Sequence, residues 1–316
     1  MARLRMIGAA IAAPVAGLAL VPASDDAPSG LTVLRLLPAG LAGAAISRPP
    51  RVPALEAQVS THGVHVHLCG VCHIEPASAE AARAAVSRAA RGGRLAAVAL
   101  ECNQQTLAML QCAHRALSGL PRERVRSEGA SLVREALFRS PTVRRMAENA
   151  GASLDTPSSV GLPPTLVRHL STDGVLWSDE MRAAADAADA WKARVVCLGA
   201  PPEASHTPHA PSTLGAALGI AAVWLRARAL RPGLDDRGCD AADVAAMNTA
   251  MQEMLPGFHA HKVVEPDDQM AAALLALCKE VSAEQRSSRG SHRPMSVVAV
   301  VGAQHVPGLK ERLARA

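Results

Sequence analysis

Val64-His65-Val66-His67-Leu68-Cys69-Gly70-Val71-Cys72-His73 begins as a short apolar run over Val64–Cys69 and breaks at Gly70. It reads as a β-strand that leaves its sheet through a tight glycine turn. A helix follows over Ser78–Ala90, with Ser78 as N-cap and Glu80 in the first turn. Three more runs have the same short, apolar, turn-bounded form: Leu95–Leu100, Arg194–Leu198 and Ser296–Val301. Between them the chain is Ala-rich and helical, at Leu107–Leu117, Ser131–Asn149, Ser178–Trp191, Leu214–Leu230 and Asp267–Val281. Strands separated by helices pair in parallel through right-handed crossovers, so the fold class is α/β with a mainly parallel central sheet.

In such a sheet, ligands collect beyond the carboxyl ends of the strands. The first run ends in Gly70-Val71-Cys72-His73, the second in Glu101, the third in Gly199-Ala200 and the last in Gly302-Ala303-Gln304-His305. His73, His305 and Glu101 are thereby brought to one edge, and two histidines with one carboxylate are a metal ligand set. The Gly-x-x-His pattern is weak by count, because 23 Gly and 12 His produce about one match by chance. Its placement at two strand ends is what gives it weight. The alternative is that both imidazoles only cap helices or bond within turns.

Cys69-Gly70-Val71-Cys72-His73 also matches the Cys-x-x-Cys-His attachment pattern of a c-type haem. That motif usually opens a small helical domain, whereas here it ends a strand in an α/β chain. A thiol redox pair, a metal-holding Cys pair and incidental cysteines are the other readings. His62, His65 and His67 alternate along the first strand and suit an edge or half-buried face. No Gly-x-Ser-x-Gly elbow follows a strand, and Arg91-Gly92-Gly93-Arg94 precedes a strand instead of opening a helix, so neither serine-hydrolase chemistry nor a phosphate loop is indicated.

The chain has 316 residues, 49% of them apolar, which is ample for a core. Two Phe, three Trp and no Tyr leave few stacking platforms, and a net charge of +5 is small for this length; no nucleic-acid partner is expected. Seven Cys without regular spacing suit a mostly reduced protein. Residues 1–58 read as a targeting segment and linker, with Arg3, Arg5 and no acid before Asp25. A mitochondrial address is expected, with secretion or a cytoplasmic location as alternatives. No span of a bilayer is expected after that segment.

A resemblance adds to this reading. Val66–Ile74 with Ser78 and Leu100-Glu101 is similar to the opening of the TraB family: a strand, Gly-Thr-Ala-His, a helix and a Val-Glu-Leu strand. Glu265-Pro266-Asp267-Asp268-Gln269-Met270-Ala271 resembles its Glu-Arg-Asp-x-x-Met-Ala, and Val298–Leu309 its Val-Val-Gly-Ala-Gly-His-Val-Pro-Gly-Ile. Asp179–Ala184 and Ala193–Gly199 agree more loosely with two middle blocks. The resemblance implies a TraB/TIKI-like domain over residues 59–316 with a helical insert at about 107–176, and a divalent-metal hydrolase of peptidase type. His73 and His305 would hold Mn²⁺, Co²⁺ or Zn²⁺, and Glu101 would be the third ligand or the base. Gly70, Gly302, Glu265 and Asp267 would support them. The substrate would be a peptide or protein. Thr106, Ala200, Pro201 and Pro266 stand where the family carries charged residues. Their loss leaves a second expectation, a catalytically weak protein acting on a membrane-associated partner at a mitochondrial membrane.

Overall fold

The computed structural model describes residues 55–73, 77–149, 179–199, 213–234, 240–287 and 294–316, with isolated positions between 155 and 176. The expected targeting segment up to residue 54 and the Pro-rich loop with Ala200, Pro201, His206 and His209 lie outside the described residues. Val52–His206 and Gly219–Ala316 form one compact unit, which is the one described below.

The first two strands, β1 (Leu55–Thr61) and β2 (Val64–Val71), form an antiparallel hairpin in which Leu55 pairs with Gly70 and Thr61 with Val64. His62 and Gly63 turn it with φ of 52° and 75°, the double positive φ of a tight two-residue hairpin. A domain start at residue 59 therefore falls inside β1. Leu55, Ala57 and Val59 alternate with the more exposed Glu56, Gln58 and Ser60. That strand pattern is short and weakly apolar, and is anchored chiefly by its partner.

The chain continues through α1 (Ala77–Gly92), β3 (Arg94–Leu100), α2 (Gln104–Leu117), α3 (Arg122–Arg139) and α4 (Pro141–Asn149). The single helix expected over Ser131–Asn149 is thus two helices. Pro141 has no N–H to give to the preceding turn but suits the first position of a new helix. Then come α5 (Asp179–Ala190), β4 (Arg194–Cys197), α6 (Thr213–Leu230), α7 (Ala241–Met254), the single turn α8 (Pro256–His259) and a π turn at Ala260–Val264. Of these, α7 and the two turns that follow it were not expected. Asp240 caps the start of α7 by accepting from the Ala242 N–H, and Ala246, Met247, Ala250 and Met251 pack it against α6. The long α9 (Glu265–Ser287), β5 (Met295–Gly302), a 3-10 turn (Ala303–His305) and α10 (Val306–Ala314) complete the unit.

All four expected strands are present, and with β1 they form one sheet in the order β1-β2-β5-β3-β4. Every pairing except β1 with β2 is parallel. All eight residues of β5 are buried, as a strand must be when helices cover both faces of its sheet. On one face Val98, Leu100, Val298 and Val300 pack with residues of α1, α2, α3 and α5. On the other, Val66, Leu68, Val297 and Val301 pack with Leu274 and Val281 of α9 and Leu309 of α10.

Gly70 lies where β1, β2 and the last turn meet. A Cβ there would stand 2.6 Å from Val306 Cγ2 and 3.1 Å from the Leu55 carbonyl oxygen. Gly70→Ala is expected to cost about 1–3 kcal/mol of overpacking. Urea unfolding checks this as a lower midpoint with unchanged m.

Candidate functional site

The neighbouring strands β2, β5 and β3 all run in parallel, so their carboxyl ends lie side by side. β2 delivers His73, β3 delivers Glu101, and β5 delivers Gly302 and, one 3-10 turn on, His305. The Gly302 N–H donates to Glu101 Oε2, and His305 Nε2 lies 3.2 Å from Glu101 Oε1. A Cβ on Gly302 would stand 3.3 Å from His73 Nε2, 3.3 Å from Glu101 Oε2 and 3.4 Å from His305 Cδ2. Both imidazoles and the carboxylate thus face one point above Gly302, and the lack of a side chain there leaves room between them. The Gln304 amide also approaches His305 Nε2, at 3.1 Å.

Each imidazole is gripped from behind. His73 Nδ1 is 2.5 Å from Glu180 Oε1, and His305 Nδ1 is 2.7 Å from Asp267 Oδ1. Glu180 stands in the first turn of α5 and Asp267 in the first turn of α9, where the helix dipole favours negative charge. Their side chains are only 2% and 3% exposed. A carboxylate so buried persists only when it is paired and hydrogen-bonded. Arg312 of α10 adds a guanidinium near Asp267, its Nη1 3.5 Å from Oδ2, while its Nε bonds Asp268 at 2.6 Å. Gly308 makes space for this cluster, because a Cβ there would lie 1.9 Å from Asp267 Oδ2.

These contacts set the charges. For His305, burial disfavours the imidazolium, but hydrogen bonds to Asp267 and Glu101 and their charges outweigh it, and its pKa is raised to about 9. For His73, burial again opposes the charged ring, and Glu180 overcomes it, so the pKa lies above the usual histidine value. For Glu101, burial favours the neutral acid, while His305, His73 and the Gly302 N–H together hold the carboxyl below its usual range.

Of the expected site residues, His73, Glu101, His305, Gly302 and Asp267 come together, and Gly70 supports the turn below them. Glu265 does not join them: its side chain is 60% exposed and pairs with His261 one turn back, at 3.1 Å. Thr106 and Pro266 bring no charge, and Thr106 uses its N–H in the Asn103 helix cap, at 2.7 Å. Glu180 was not expected. The available signal was an acid between residues of an apolar helix face, beside buried Met181, Ala183 and Ala184. The neighbouring Arg182 is also buried and is neutralised within the helix by Asp179 and Asp186.

The Cys-x-x-Cys-His motif does not fit haem attachment. Cys69 belongs to the core beneath α1, where burial pushes its thiol up to about 12, while Cys72 packs toward Ala303 and Val244. The two sulfurs therefore do not present one face to a macrocycle.

The donor set does fit a divalent ion in its chemistry. A metal-ligating histidine gives its other ring nitrogen to a carboxylate, which fixes the tautomer, and both rings here are held in that way. The 3.2 Å from His305 Nε2 to Glu101 Oε1 also matches the spacing of two ligands around one ion, about 3.3 Å for tetrahedral bonds of ~2 Å. As the side chains stand, no group of three His, Cys, Asp or Glu among the described residues closes on a single ion.

No protein-family model matches the chain, and no curated protein matches it significantly. Among the described residues no helix is long and apolar enough to cross a membrane.

The raised pKa of His305 gives a pH signature. Its contribution to stability is fully present below the unfolded value near 6.5 and is lost as pH rises through about 9. In chelator-treated protein, raising the pH across that span is expected to cost on the order of 3 kcal/mol. Asp267→Asn removes the largest favourable partner, so its unfolding free energy, measured in urea at each pH, should fall by markedly less.

Proposed function

We propose that the chain is a TraB-like, divalent-metal-dependent hydrolase that cleaves an amide bond in a peptide or protein. The observation that carries this reading is the paired grip: two imidazoles held through Nδ1 by buried carboxylates, with Nε2 of His73 and the Nε2 edge of His305 converging with Glu101 above Gly302. An arrangement that served only to cap helices would not need a buried acid behind each ring. The TraB resemblance of the same residues supports it.

His73 and His305 would hold Mn²⁺, Co²⁺ or Zn²⁺ through Nε2, and the ion would supply Lewis acidity to the scissile carbonyl and to water. Glu180 and Asp267 keep the proton on Nδ1 and so leave Nε2 as the donor. Glu101 is the third donor or the base. Its Oε2 is tied to the Gly302 N–H, which makes Oε1 the working oxygen, able to take a proton from water and return it to the leaving amine. Its side chain is 21% exposed and that of His73 30%, so water and substrate reach the site from their side, while His305 is sealed within.

A second reading is a binding protein at a mitochondrial membrane that retains the fold with weak chemistry. It rests on Thr106 and Pro266, which stand where the family has arginine. Arg312 weighs against it, because it brings a guanidinium to Asp267 from another helix.

Metal analysis of the full chain tests the two readings. Close to one Mn, Co or Zn per chain is expected after reconstitution and gel filtration, lost in the His73→Ala/His305→Ala variant. Glu101→Gln should lower peptide hydrolysis by about 10²–10⁴-fold, the usual share of a general base. A well-folded wild type that takes up no stoichiometric ion would favour the binding protein.

A further inference from the structure

Beside the candidate site, the ends of β3 and β4 bring two thiols together. Leu100 is the register partner of Cys197. The chain then turns at once: the Cys102 N–H donates to the Leu100 carbonyl at 2.8 Å, and the same oxygen accepts the Leu198 N–H at 2.8 Å. The Gly199 N–H donates to the Cys102 carbonyl at 3.2 Å. A Cβ on Gly199 would lie 2.8 Å from the Cys102 carbonyl carbon, so the two backbones are in contact. Cys102 lies in the core cluster with Val98 and Leu100, and Cys197 packs against the same cluster, which puts both side chains on one face of the sheet. The two side chains are thereby brought beside each other at neighbouring strand ends, and neither cysteine is in a disulfide.

We propose that Cys102 and Cys197 are an oxidative modification site, a dithiol that closes reversibly to a disulfide in exchange with a low-molecular-weight disulfide such as oxidised glutathione. Cys197 is the partly exposed member and Cys102 is buried, so the order of events follows from access. The Cys197 thiolate attacks one sulfur of the small disulfide, forms a mixed disulfide and releases one small thiolate. Cys102 gives up its proton and attacks the Cys197 sulfur, releasing the second. Two protein thiols are oxidised, one small disulfide is reduced to two thiols, and no other oxidant is needed. The Cys102 thiol beside it also holds the Cys197 thiol below its ordinary value, which agrees with its role as the attacking group.

The other described cysteines are placed differently. Cys69 and Cys278 are buried with thiols pushed up to about 12 and about 11, and Cys112 donates to the Ala136 carbonyl at 3.4 Å; the Cys102 thiol is raised as well, by the Cys197 sulfur beside it and by burial, so it attacks only after Cys197 is engaged. The link would fall one residue after Glu101 and tie that strand end to β4. The proposal does not depend on the hydrolase reading, since its readout is the covalent bond itself.

The test is incubation of the full chain in glutathione buffers of stepped composition, followed by thiol blocking, digestion and mass spectrometry. The expected result is a loss of two hydrogens and a peptide pair joining Cys102 to Cys197, both reversed by dithiothreitol. Cys102→Ser should stop at one glutathione on Cys197, and Cys197→Ser should give neither link nor adduct at Cys102. Both thiols remaining alkylatable at every buffer composition, or a link that appears only in denaturant, would overturn the proposal. The wild-type result stands even if a variant fails to fold.

Discussion

The bond from the Gly302 N–H to the Glu101 carboxylate ties the ends of two adjacent strands at the point where the chemistry gathers. Around it lie three carboxylates, Glu101, Glu180 and Asp267, and two imidazoles, of which Glu180, Asp267 and His305 are almost wholly drawn out of water. Such a group is tolerable only if positive charge offsets it. The raised pKa values of His73 and His305 supply that charge as two protons. Under the proposed function, one divalent ion would carry the same charge as those two protons.

The balance requires space as well as charge. Gly302 and Gly308 are the positions where a side chain would enter the cluster, one between the imidazoles and the other against Asp267. Both follow from the sheet: β5 is buried on both faces, and its end must release the chain into α10 within three residues to bring His305 back over the strand tip. A larger residue at either glycine would separate groups that neutralise one another.

Much of this was legible in the sequence, for identifiable reasons. The four parallel strands are continuous apolar runs because both sheet faces are covered, and β1 was missed because an edge strand with Glu56, Gln58 and Ser60 lacks that run. The strand-end rule brought out His73, Glu101 and His305, since it depends only on strand direction. Asp267 and Glu265 could not be separated by sequence, because both begin the same helix; two residues of rotation bury one and expose the other. Glu180 stayed hidden because its partner is 107 residues away, and nothing local distinguishes a helix-start acid that faces inward from one that faces water.

The alanine content has a physical role in this arrangement. Ala82, Ala85 and Ala89 of α1 are buried on the same side of the sheet as Ala184, Ala185, Ala187 and Ala188 of α5. Small side chains let helices approach one another and the sheet more closely than leucine would, since interaxial distance follows the residues at the contact. Close approach is what Glu180 needs, because a carboxylate on a three-bond stem has little reach. Replacing that alanine layer with larger aliphatics would move α5 outward and separate Glu180 from His73, leaving a buried acid without its partner. The small-residue helices are therefore part of how this chain positions its histidines.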